Sequence, residues 1–421
     1  MGYSNWSNIN TFTTKSNSIP TTEEAILTAS DKLASDFLGW SVAINQDGTR
    51  AVAGAYLSDP GGTSAAGAAY VFVKSGGVWS QEAKLIASDK AASDNFGKSV
   101  AIDANGDRIA VGAFLANTLG TTDAGAVYIY TRSGSTWTQE TKLYASDRGS
   151  TDRFGSSVAF TDNADRVAIG AINVDRGAQL NIGAVYVFSR SGTTWTEEAK
   201  LTDSVISTAT FIGASVDISS TGDRVIAGAN GYDLTGATDA GAAYIFVRSG
   251  TTWTQEAILV ASDRLASDDA GYSVSMNSAG DVVAVGVTLS DPGSVSGAGA
   301  VYIYTRSGTT WSQSAKLSAS DKATTDRFGY GVSLSASGTL LVASAPQADV
   351  SSVGNAGAVY LFTNTGGSWS QTSKLSASDK VTSDLFGTFI ALSSDGSTLI
   401  SSSPNRDSGG LADAGAAYIF V

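Results

Sequence analysis

The chain contains no cysteine and no histidine. Disulfides, thiolate nucleophiles and Cys/His zinc sites are therefore excluded, and so is serine-hydrolase chemistry with a histidine base. The lack of cysteine suits an oxidising exterior as well as a cytoplasm. Proline is scarce, with 5 residues in 421, whereas glycine reaches 47. Basic residues are outnumbered, 26 Lys+Arg against 39 Asp+Glu, for a net charge of −13 and a pI near 4.4. That balance argues against a nucleic-acid or anionic-membrane surface, both of which need clustered cations. No apolar run approaches the roughly 18–20 residues that span a bilayer, so membrane insertion is not expected. Residues 1–21 carry neither a basic start nor an apolar core segment and read as a polar arm rather than a signal peptide. What remains is a chain with 9% aromatic residues, enough to build a core.

The dominant positive feature is an internal repeat. The leucine of "EAKL" and its relatives falls at Leu27, Leu85, Leu143, Leu201, Leu259, Leu317 and Leu375, a step of 58 residues each time. In the same register run the glycines Gly39, Gly97, Gly155, Gly213, Gly271, Gly329 and Gly387, and six tryptophans from Trp79 to Trp369. One unit contains four β-rich segments: 96–102 (FGKSVAI), 108–113 (RIAVGA), 125–131 (GAVYIYT) and 136–143 (TWTQETKL). Their length and their β-branched and aromatic content predict strands. Asn-Gly and Asp-Gly turns link the first to the second, and a Gly-containing hairpin links the third to the fourth. The second-to-third connection is longer, about 11 residues, as in 114–124.

Four antiparallel strands repeated seven times predict a propeller or an open array. The last unit stops at Val421 after its third strand, while residues 22–27 (TEEAIL) supply an unpaired fourth strand at the other end. Only a closed ring uses that split, so the expectation is an all-β, seven-bladed propeller over 22–421, latched by residues 22–27 beside 415–421. The second and third segments are apolar on both faces, as inner strands covered by neighbouring blades must be. The first is rich in Ser, Ala and Gly, as crowding near an axis demands.

Phe-Gly at the start of a blade, "VGA" or "AGA" closing the second strand and then "GAVYVF" resemble the FG-GAP repeat, which builds the seven-bladed propeller of integrin α subunits and occurs in many surface proteins. The resemblance spans all seven units. It implies a ligand-binding face where the longer connections emerge, and calcium loops between first and second strands. The phenylalanine is replaced by Leu38, Ile212 and Ala270, and the motif's proline remains only as Pro346 and Pro404. The turn nearest to a calcium loop is Asp103-x-Asn105-x-Asp107, whose further ligand position is Val111. These three residues are the weak candidate metal ligands and calcium the one candidate cofactor; such short turns supply few of the six or more oxygens calcium takes.

Two sets of aspartates decorate the longer connections. Asp31, Asp89, Asp147, Asp263, Asp321 and Asp379 each have a partner five residues on, at Asp36, Asp94, Asp152, Asp268, Asp326 and Asp384. The second set is Asp59, Asp175, Asp233, Asp291, Asp349 and Asp407, with Asn117 in the remaining blade. Their plain reading is structural: Asx turns, and ion pairs between blades through the Lys or Arg that follows each first Asp, such as Lys32 or Lys90. The sharper reading is a cation held between loops. Paired carboxylates could also serve acid/base catalysis, but a pair repeated around the ring does not look like one tuned site, and no catalytic residue is assigned.

Departures from the repeat are more informative. Segment 202–213 (TDSVISTATFIG) has lost both aspartates and the cation, and loop 172–182 (INVDRGAQLNI) carries Arg176, Gln179 and Asn181 beside Asp175. Drift in exposed loops is one reading. A ligand patch near blades 3 and 4 is the other, with Asp175, Arg176, Gln179, Asn181, Ser204 and Thr210 as candidate contacts. The leading expectation is a non-enzymatic recognition or adhesion module, extracellular or on a cell or virion surface, that binds a protein or glycan. The alternative is a structural or decorating protein that meets neighbouring subunits of a virion or other assembly, tethered by the arm. A secreted enzyme ranks third.

Overall fold

The computed structural model describes residues 19–203 and 210–421. Seven four-stranded antiparallel sheets follow one another around a ring. Blade 2 sets the pattern, with strands Phe96–Ile102, Arg108–Ala113, Ala126–Ser133 and Thr136–Leu143 running from the axis to the rim. Ser133 faces Thr136, so the outer hairpin closes on a two-residue turn, Gly134-Ser135, and the third strand extends further than the segment read from sequence. In blades 1, 4, 6 and 7 the first strand is shorter, for example Val216–Ile218.

The last blade consists of Ile390–Leu392, Leu399–Ser403, Ala416–Phe420 and, from the other end of the chain, Glu23–Leu27. Ala25 faces Ile419 and Leu27 faces Ala417 in antiparallel register. The latch is also tied sideways. Glu24 accepts from Trp79 Nε1 in blade 1 at 3.0 Å and pairs with Lys74, while Glu23 accepts from Ser378 N after blade 6 at 2.9 Å.

The core is not central. It lies in seven layers between adjacent blades, each formed by the apolar second and third strands of one blade and the first three of the next. Between blades 1 and 2, Val52, Ala69 and Val71 pack against Phe96, Val111 and Tyr128. The repeat phenylalanine is the wedge in this layer: Phe96, Phe154, Phe328 and Phe386 are fully buried, and Phe96 meets Tyr128 edge-on at 5.5 Å between centroids. Leu38 and Ile212 are buried as completely, and Ala270 nearly so. At the rim the tryptophans find their purpose. Trp137 Nε1 donates to Glu82 of the preceding blade at 2.9 Å, and the same carboxylate takes Arg50 Nε at 2.9 Å. Glu140, Glu198 and Glu256 repeat the clamp with Trp195, Trp253 and Trp311. Half-burial alone would raise the Glu82 carboxyl, but the bonds from Arg50 and Trp137 outweigh it and hold the group below its ordinary value.

At the axis, small residues do more than avoid crowding. Ser41 Oγ donates to Gly97 O at 2.9 Å, Ser99 Oγ to Gly155 O and Ser157 Oγ to Gly213 O, each at 2.8 Å. A hydroxyl thus stitches each of these first strands to the next.

Candidate ligand-binding face

Among the described residues, the second-to-third connection of each blade meets, on one face, the segment that leads from its fourth strand into the next blade, and backbone bonds lock the two together. Ser93 N donates to Ser64 O at 2.9 Å and Phe96 N to Ala66 O at 2.9 Å, so the entry to blade 2 rests on the long loop of blade 1. The aspartate sets hold this frame. Asp94 Oδ2 accepts from Ala91 N at 2.7 Å, and Asp59 Oδ1 from Ala65 N at 2.6 Å. Asp89 does something the sequence did not suggest: it accepts the hydroxyl of Tyr128 at 2.7 Å and the ammonium of Lys142 at 2.8 Å. The same triad recurs at Asp31, Asp147 and Asp263. The cation that pairs with the first Asp is therefore the fourth-strand lysine, not the Lys or Arg that follows it in sequence. Around Asp89, partial burial pushes its carboxyl up, but the bonds from Lys142 and Tyr128 prevail and leave it lowered.

Where the repeat lacks that lysine, the structure substitutes. In blade 7, Ile26 occupies the lysine's place in the register, and Arg406 from the long loop pairs with Asp379 instead. In blade 4 Ile258 occupies it, and the segment read as having lost its aspartate retains one two residues earlier. Asp203, fully buried, accepts the Tyr244 hydroxyl at 2.8 Å. An ordered tyrosine hydroxyl needs an acceptor here, and Asp203 provides it in altered register.

The candidate contacts near blades 3 and 4 fall into two groups. Asp175 and Arg176 are exposed, and Gln179 and Asn181 are half-buried. Arg176 and Gln179 close a tight turn through reciprocal backbone bonds of 2.9 and 3.2 Å. Asp175 Oδ1 accepts Asn181 N at 2.9 Å, and Arg176 Nη1 donates to Asp203 O at 2.6 Å. Thr210 is fully buried and its hydroxyl donates to Ile182 O at 2.7 Å; it belongs to the frame rather than to an accessible surface. Ser204 lies outside the described residues.

The candidate calcium turn has other partners on the opposite face. Asp103 Oδ1 accepts Asp107 N at 2.7 Å and Arg108 N at 2.9 Å, Asp107 is paired with Arg132, and Asn105 points to solvent. A carboxylate turned inward to its own backbone and another neutralised by an arginine do not fit a calcium site. Among the described residues no group of three or more His, Cys, Asp or Glu could hold a metal ion. Chelation should accordingly move the melting temperature by less than about 2 °C, because little ligand-binding free energy would be lost; a thermal melt with and without chelator checks this.

The largest departure from symmetry lies on the axis and was not anticipated. The residue after each repeat glycine faces the centre, and these seven are Trp40, Lys98, Ser156, Ala214, Tyr272, Tyr330 and Thr388. With Phe114, Arg153, Asn230, Phe389 and the first-strand residues below them, they line a cup of about 490 Å³ that opens on the loop face. Trp40 packs on Tyr56 at 4.5 Å and Tyr272 on Tyr330 at 4.7 Å between centroids. The Lys98 ammonium lies 4.3 Å from the Trp40 ring centre, with Tyr56 and Phe114 at 5.3 and 5.1 Å. Burial, aided by Arg153, lowers Lys98 to about 8. The residue before the phenylalanine also varies, from Phe37 and Asn95 to Arg153 and Asp269, with positive φ throughout. The signal was present in the sequence as one of the most variable columns of the repeat, but the variation only acquires meaning once the seven blades converge on one axis. A second, polar cavity of about 200 Å³ lies at the opposite end of the axis.

Each of the seven units matches the FG-GAP repeat, over residues 21–72, 79–130, 137–188, 195–246, 253–304, 311–362 and 369–420. No curated protein matches the chain. Among the described residues no helix is long and apolar enough to cross a membrane.

Proposed function

We propose that this chain, which belongs to the FG-GAP repeat family, is a non-enzymatic recognition module that binds a protein or glycan through the face bearing its long loops. The observation that carries this reading is the distribution of variation. Rim clamps, interblade wedges and aspartate frames recur from blade to blade, whereas the loop tips and the axial ring differ. A framework explains the recurring residues; it does not call for Arg176 on one loop or for Trp40 and Lys98 on the axis. Placement on a cell surface or another extracellular surface follows from this reading.

On the rim, Asp175, Arg176, Gln179 and Asn181 are the proposed contacts. Arginine is often an interface anchor, and no other blade has one at the position of Arg176. Replacing Arg176 and Gln179 with Ala should weaken attachment by about 1–2 kcal/mol or more while the ring stays folded. The measurement is binding to immobilised glycan and extracellular-protein arrays. Loss on scrambling the opposite hairpins, such as 190–194, with none on the double substitution, would move the site to the other face.

A second reading, a decorating protein tethered by its N-terminal arm, is favoured by the placement of Ile19. Ile19 lies beside the hairpin-face residues Ser337, Thr339 and Asp395 and packs against the layer between blades 6 and 7. A tether there would leave the loop face free. Deleting residues 2–18 should abolish attachment under this reading and spare it under the first.

A further inference from the structure

We propose that the axial cup is a binding site for an acidic sugar residue, with Lys98 and Arg153 taking the carboxylate and the aromatic wall taking the sugar ring. The inference deepens the recognition reading of this face, but places the site on the axis rather than at the loop rim.

The first argument is electrostatic. Two cations face one cup in a chain whose net charge is −13. Lys98 and Arg153 have no carboxylate partner among the described residues, and the remaining residues, 1–18 and 204–209, include no Asp or Glu. The carboxylate of Asp269, which holds the position of Arg153 in blade 5, is engaged by Asn230 and Thr288, at 2.8 and 2.9 Å. Burying two like charges together without a counter-ion is unfavourable, and the other blades show that the fold does not need a cation after the glycine. An anion supplied by a ligand resolves the imbalance.

The second argument is chemical. Among the described residues, Trp40 Nε1 and Arg153 Nε are buried donors without an acceptor, although buried donors are nearly always satisfied. Both would be met by the oxygens of an acid and its neighbouring hydroxyls. The rings of Trp40, Tyr272 and Tyr330 line the cup, and aromatic surface suits the weakly positive C–H bonds of a pyranose. A volume near 490 Å³ is in the range of small-molecule sites. A single acidic side chain of a peptide would use the cations and leave much of the wall uncovered.

The proton balance adds a readout. Lys98 has its pKa near 8 because it is desolvated beside Arg153. The other groups facing it are the rings of Trp40, Tyr56 and Phe114, and burial pushes the Tyr56 phenol up, so it stays neutral. Anion binding favours the protonated ammonium, so affinity should fall as pH rises through about 8.

The test is calorimetric titration of the full chain with a galacturonate disaccharide, its methyl ester and a glutamate-rich peptide. The acid should bind, the neutral ester should bind at least about tenfold more weakly, and Lys98→Met should cost a similar factor while Lys98→Arg restores part of it. Lys98→Met removes a desolvated charge, so it should melt no lower than the parent, which separates lost binding from lost fold. Equal binding of acid and ester, preference for the peptide, or no binding of the disaccharide at pH 6.5 would each overturn the proposal. Failure here with retained sensitivity of array binding to Arg176 and Gln179 would leave the rim reading standing; the converse result would leave only the cup.

Discussion

Removal of residues 1–27 should convert a closed ring into an open one that aggregates. The deletion strips the outer strand from blade 7 and exposes the full length of Ala416–Phe420, whose partners across the missing ladder are Glu23, Ala25, Ile26 and Leu27. Bare edges of this kind recruit other chains. The deletion also removes buried Leu27 and frees Trp79 Nε1 and the Ser378 amide from Glu24 and Glu23. Each blade is supported by its two neighbours, through the shared layers and the rim, axial and loop bonds between them, so one defective blade weakens both sides of the seam. Size-exclusion chromatography and a thermal melt read the outcome. A synthetic peptide of residues 19–28 should restore the monomer by strand addition. A truncated chain that stays monomeric with unchanged melting would show that ring closure does not depend on the latch.

The second large effect is expected at the axis. Gly97 has φ +93°, and a Cβ there would lie 2.3 Å from Ala68 O of the preceding blade and 3.1 Å from Ala55 N. Both neighbours are backbone held in a buried sheet, so neither can swing aside. Gly97→Ala combines left-handed strain with this overlap and should cost about 3 kcal/mol or more. In a chain of this size that lowers the melting temperature by about 3 °C or more. Gly134→Ala is the control, since its φ is also positive but, among the described residues, nothing lies within 4 Å of the added carbon; it should lose only the conformational part. Similar losses in the two variants would mean that close approach between blades is not what holds this position to glycine.

The 58-residue register, four strand segments per unit and the split last blade are all local or periodic features, and the sequence alone determined the propeller from them. Strand propensity, turn chemistry and alternation act within a few residues, and repetition multiplies a weak signal seven times. The aspartate turns were legible for the same reason: Asp94 bonds to an amide only three residues away. The partner of Asp89 was not, because Lys142 lies 53 residues along the chain and Lys90 beside it looked the better match. Asp203 escaped notice because it does its work out of register, and only the fixed position of the Tyr244 hydroxyl reveals it. The cup was decided entirely by tertiary structure. Trp40 and Lys98 are separated by one repeat, and Tyr272 and Tyr330 lie several repeats further on. Nothing local draws them together. Closure of the ring does, because it turns one equivalent position in every blade toward a single axis, where seven unlike side chains become one surface.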